Sequence, residues 1–150
     1  MSRFIALASG PVPHDWLDRA AHEVRACDWY MSAEAAGVED NDDAAVRLMV
    51  LAGARPVVGE QKVTVDHGRA GKARIELLSA SELAALRLPG GARLEPGHGY
   101  GLLLEGLEGP GGLVLLEGYR GIAIGLSRHG LVRTPEGEWW DASSGTWVRS

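Results

Sequence analysis

The chain has very little of what small enzymes and metal proteins use to announce themselves. There is one cysteine, Cys27, which excludes an internal disulfide, fits a reducing compartment, and has no cation beside it to stabilise a thiolate. No G-x-S-x-G elbow, phosphate-binding loop or dinucleotide fingerprint is present. Gly97–Gly101 is glycine-rich but lacks the strand–turn–helix setting and the Lys that a phosphate loop needs. None of the five histidines forms an HxH or HxxxH pair, so a zinc signature is missing. No apolar run approaches the roughly 18 residues of a membrane span. Basic charge is also short: 15 Lys and Arg stand against 20 Asp and Glu, a net charge of -5 divided evenly between the two halves. Phosphate neutralisation drives nucleic-acid affinity, and this balance argues against such a partner.

What is present is glycine, leucine and tryptophan. With 45% hydrophobic and 23% charged residues over 150 positions, the composition is that of one globular domain with a core of its own. It divides into a helix-containing half, 1–90, and a β-meander half, 91–150. The N-terminus has one Arg and a short apolar run soon broken by Pro11 and Pro13, too brief for a secretory signal, so a cytoplasmic protein is expected.

Residues 3–8 read as a first strand. From Asp15, a helix cap, Leu17, Ala20, Ala21, Val24, Cys27 and Met31 recur at spacings of three and four, predicting a helix to about Ala35 or Ala36 that stops at Gly37. Residues 39–43 are an acidic loop with hard oxygen ligands but without the EF-hand pattern. Residues 44–53 carry conflicting helix and strand signals; a strand is expected, since it can pair with the next segment of the chain. Val63 and Val65, then Ala73, Ile75 and Leu77, alternate about a turn at 66–71 and predict a hairpin. Ser79 or Ser81 caps a short helix that ends before Pro89.

Residues 88–130 hold 13 of the 21 glycines and predict the scaffold. Strands are expected near 92–95, 100–107, 113–117, 120–126, 130–134, 138–141 and 145–149. Gly99, Tyr100, Leu103, Gly106 and Leu107 are echoed by Gly118, Tyr119, Ile122, Gly125 and Leu126, as similar neighbouring strands would be. In 121–126 the alternation of Ile122, Ile124 and Leu126 with Gly121, Ala123 and Gly125 suggests a central strand with one flat face, or one under the N-terminal helix. The expected fold is therefore α+β: an N-terminal helix packed on a mostly antiparallel β-barrel or sandwich-like sheet.

KARIELL followed by LPGGARLEPGHGYGLLLEGLEGP resembles the periplasmic PCu(A)C copper chaperones, over about a third of the chain. That resemblance implies a cupredoxin-like barrel. Aligned on Gly106 and Leu107, the family's His and Met ligands fall on Gly101 and Leu103, which cannot hold copper, so the activity is not implied.

Adjacent Trp139 and Trp140 must point to opposite faces of a strand, so one of them, with Trp147 nearby, is available as an exposed anchor; alternatively it packs under the N-terminal helix, near Trp16. The candidate binding residues are Trp139, Trp140, Trp147, Tyr100 and Tyr119. The expected function is a non-catalytic interaction or assembly module, docking another protein or a second copy of itself through a sheet edge or the tryptophan surface, without cofactor, nucleic acid or membrane. The alternative is a small-molecule or metal-binding barrel, with Asp66, His67, His98 and His129 converging from loops. An enzyme using turn carboxylates such as Glu95 or Glu105 with a histidine is a third possibility.

Overall fold

The computed structural model describes residues 3–25, 55–66, 72–91, 98–108 and 112–148. The expected helix beyond residue 25, the acidic loop 39–43, the ambiguous segment 44–53, the hairpin turn with His67, and the strand at 92–95 with Glu95 lie outside them.

The apolar run 4–8, FIALA, is buried at every position. An unbroken run of this kind belongs to a strand covered on both faces, and β1 (Arg3–Ser9) is such a strand. On one side it pairs antiparallel with β5 (Gly99–Glu108), on the other with β6 (Leu131–Arg133). The remaining strands are β2 (Arg55–Val58), β3 (Lys62–Asp66), β4 (Lys72–Leu77), β7 (Trp139–Asp141) and β8 (Thr146–Val148). All eight form one antiparallel sheet in the order β2-β3-β4-β5-β1-β6-β7-β8. The hairpin expected from the Val and Ile alternation is β3–β4, with Val63 opposite Ile75 and Val65 opposite Ala73.

Strand parity sorts the core into two layers. Phe4, Ala6, Val63, Ile75, Leu102, Leu104 and Val132 share one face and pack beneath two helices. The first, α1, is helical over residues 16–25 and buries Ala20, Ala21 and Val24 at the expected spacing. It starts directly after Asp15, whose carboxylate meets Arg19 Nε at 3.1 Å. The other face collects Ile5, Leu7, Leu103 and Trp139 against Leu78, Leu83, Leu86 and Leu88. Those leucines come from α2 (Ala80–Ala85) and its flanks. A complete capping box starts α2, in which Ser79 Oγ accepts from Glu82 N at 3.2 Å while Glu82 Oε1 accepts from Ser79 N. A short 3-10 turn at Pro89–Gly91 follows.

Three expectations are corrected. Residues 113–117 and 120–126 are not strands: they lie in one 16-residue helix, α3 (Gly112–Ser127). The echo between residues 99–107 and 118–126 therefore joins a strand to a helix. Gly125 does meet the N-terminal helix, since a Cβ there would overlap the Glu23 carboxylate, but the close approach is helix on helix. The sheet is also open rather than a barrel, and so lacks the closure that the copper-chaperone resemblance implies, because β2 and β8 stand at opposite ends of the strand order. The physical reason is α3: Ile122, Ala123 and Leu126 cover the apolar face of β1, β5 and β6, which a barrel would have closed upon itself.

Candidate functional site

The C-terminal meander is built by two turns whose residues each supply a needed group. Between β6 and β7, Thr134 Oγ1 accepts from Glu138 N at 3.2 Å, and Gly137 takes a φ of 86°, a left-handed conformation that glycine adopts without strain. Between β7 and β8, Asp141 Oδ1 accepts from Ser143 Oγ at 2.6 Å and Ser143 N at 2.9 Å. The hydrogen bond from the Ser143 hydroxyl, then those from the backbone, hold the Asp141 carboxyl below its usual range.

These turns set the register Trp139–Val148, Trp140–Trp147 and Asp141–Thr146. Trp139 faces the smaller apolar layer and is buried with Ile5 and Leu7. Trp140 points the opposite way, as a strand requires, and packs half-buried against the main core. Trp147 lies across from it, with ring centroids 5.1 Å apart and planes at 77°, an edge-to-face pair. The Trp147 residue is 45% exposed. Arg120, from α3, places its guanidinium carbon 5.4 Å from the Trp140 ring and 5.1 Å from that of Trp147, bracing both by cation–π attraction. Sequence reasoning misses Arg120, because residues 120–126 read as a strand and nothing in that reading carries the residue to the tryptophans.

The other candidate residues are dispersed. Tyr100 is buried near the start of β5, and β1 and β6 lie between that strand and the tryptophans on β7 and β8. Tyr119 lies in α3, and its side chain is outside those described. His98 precedes β5, and His129 follows α3 with a left-handed φ of 71°, so both are at the end of the sheet where β1 finishes. Asp66 ends β3 beside Lys72, which pairs with Glu108 at the opposite end of β5. Ten residues of strand separate the two ends by roughly 30 Å. The structure therefore does not bring Asp66 together with His98 and His129. Among the described residues, no group of three or more His, Cys, Asp or Glu is placed to hold a metal ion.

Glu105 is not a turn carboxylate: it lies inside β5 and is 4% exposed. Its Oε1 accepts from Arg74 Nε at 3.0 Å and from Arg74 Nη2, and its Oε2 accepts from Arg3 Nη2 at 3.0 Å. Burial pushes the Glu105 pKa up, but the hydrogen bonds and charges of Arg74 and Arg3 outweigh it and hold the carboxyl below its usual range. A carboxylate so engaged at both oxygens joins β1, β4 and β5; it is not poised for proton transfer.

No described helix is long and apolar enough to cross a membrane. Compared with known proteins, the chain matches no family model, no curated protein and no solved structure.

Proposed function

We propose that this chain is a non-catalytic assembly module that associates with a second copy of itself through the β8 edge, with Trp147 as the anchor. The observation that carries the reading is a large aromatic side chain exposed on a terminal strand yet braced on two sides, by Trp140 and Arg120. A braced ring surrenders little side-chain entropy on docking, which is the property of an interface anchor.

The two sheet edges differ in a way that favours β8. At the other end, β2 exposes Val57 and Val58, but Pro56 cannot donate a backbone hydrogen bond and blunts that edge against pairing. Strand β8 has no proline. Because β8 has only three residues, its backbone offers few bonds and the Trp147 ring must carry the specificity. Antiparallel pairing of two β8 edges about a two-fold axis continues the antiparallel order already present, and cyclic dimers are the commonest closed assemblies. Sedimentation equilibrium over a concentration series tests the reading: reversible dimerisation that weakens in Trp147→Ala supports it. A partner other than a second copy requires the wild type to stay monomeric alone while its Trp147 remains open to acrylamide quenching.

A further inference from the structure

Arg120 carries a charge that no described carboxylate answers. Arg3, Arg19 and Arg74 each meet an acid. Exposed Arg120 meets the rings of Trp140 and Trp147, and among the described residues it has no ion-pair or hydrogen-bond partner. An aromatic face attracts the cation but offers no lone pair, so the N–H fork that suits carboxylate and phosphate oxygens is left without an acceptor. Asp141 does not supply one: it shares its parity with Trp139 and lies on the face of β7 opposite Trp140.

The self-association proposed above, on which this inference rests, determines where a second fork stands. Strand β8 has three residues, Thr146–Val148. A two-fold axis that pairs all three with their antiparallel copies must pass beside the middle one, so Trp147 lies opposite its own copy. Both copies then turn the same sheet face to one side, and the two Trp147 rings stand next to each other, each with its Arg120. The guanidinium carbon is 5.4 Å from the Trp140 ring on β7 and 5.1 Å from the Trp147 ring on β8, which centres it between those strands. The two guanidinium groups of the dimer are therefore two strand spacings apart, roughly 10 Å. Each N–H···O contact takes about 2.8 Å, so a single phosphate is too short to bond both forks and a diphosphate spans them. We infer that the β8–β8 dimer forms a composite site for a diphosphate group, each phosphate held by the Arg120 of one copy. Neither copy holds the site alone, so diphosphate binding and dimerisation are linked.

Sedimentation equilibrium in inorganic pyrophosphate, against sodium chloride at matched ionic strength, tests the linkage. A ligand that binds only the dimer strengthens association about tenfold when present at about ten times its dissociation constant. That gain is expected with pyrophosphate, and little gain with orthophosphate. Calorimetric titration of the dimer should give one pyrophosphate per two chains. ADP distinguishes the sources of the group: an equal gain admits the diphosphate of a nucleotide, and no gain restricts the site to the inorganic ion. Arg120→Gln should lose the gain entirely, whatever its dimerisation constant in chloride. Arg120→Lys keeps the charge but not the fork, should lose most of the gain, and serves in its place if Arg120→Gln fails to fold. A wild-type dimer indifferent to pyrophosphate, an equal gain with orthophosphate, one pyrophosphate bound per chain, or an undiminished gain in a folded Arg120 variant would overturn the inference and leave the self-association standing. A wild type that is monomeric with and without pyrophosphate would overturn both.

Discussion

Replacing Glu105 by Gln tests how the charges that join β1, β4 and β5 contribute to stability. The carboxylate is buried, but the Arg3 and Arg74 side chains that hold it are 52% and 44% exposed. Once the acid is gone, both guanidinium groups can turn to water. The loss is then close to that of two partly screened ion pairs, about 1–2 kcal/mol, and not the larger cost of stranding a buried charge. For a chain of this size that is a fall in Tm of about 3–6 °C. Arg74→Met is expected to be worse, because it removes the main partner and leaves a buried carboxylate on Arg3 alone. The double variant should recover part of that loss. The pH dependence has a definite sign: the folded pKa is lowered, so the stabilisation is complete above the unfolded value, about 4.3, and is lost as pH falls through the lower folded value. Urea unfolding of the three variants across the acid range measures all of this. A gap between wild type and Glu105→Gln that persists unchanged at the acid extreme, or an Arg74→Met variant milder than Glu105→Gln, would refute the reasoning.

Other substitutions probe the packing. A Cβ at Gly130 would overlap the Leu7 carbonyl oxygen, beside the β1–β6 pairing, so Gly130→Ala should destabilise by about 2 kcal/mol or more in denaturant titrations. Arg128 adopts a φ of 51° after α3, and Arg128→Gly should raise stability by about 0.5–1 kcal/mol, since relief of the left-handed strain exceeds the added chain entropy. Ile75, fully buried between Val63 and Leu104, should cost about 2–5 kcal/mol as Ala but only about 1 kcal/mol as Val.

Where one face of a strand is buried and the other wet, the sequence is easily read. Val63, Val65, Ala73 and Ile75 alternate, and β3 and β4 pair as that alternation demands. The Ser79–Glu82 capping box and the turns of the tryptophan meander are legible because each depends on local chemistry. Helix α3 is not, for a physical reason. Its glycines and β-branched residues have poor helix propensity, and its apolar residues are dense enough to satisfy an alternating pattern by chance. Packing over β1, β5 and β6 overrides that propensity. A better signal is the spacing of Gly118, Gly121 and Gly125, which share one helical face. Misreading α3 also hides Arg120, so the opposite-facing tryptophans can be anticipated but not the cation that braces them.

The central claim is that Trp147 on the β8 edge is the anchor of self-association. Sedimentation equilibrium of wild type and Trp147→Ala, from micromolar to near-millimolar protein, tests it most directly. The expected result is a reversible monomer–dimer equilibrium in the wild type, weakened about thirtyfold in the variant, as loss of a central aromatic anchor would produce. A wild type that is monomeric throughout, or a dimer that Trp147→Ala leaves intact, would contradict it.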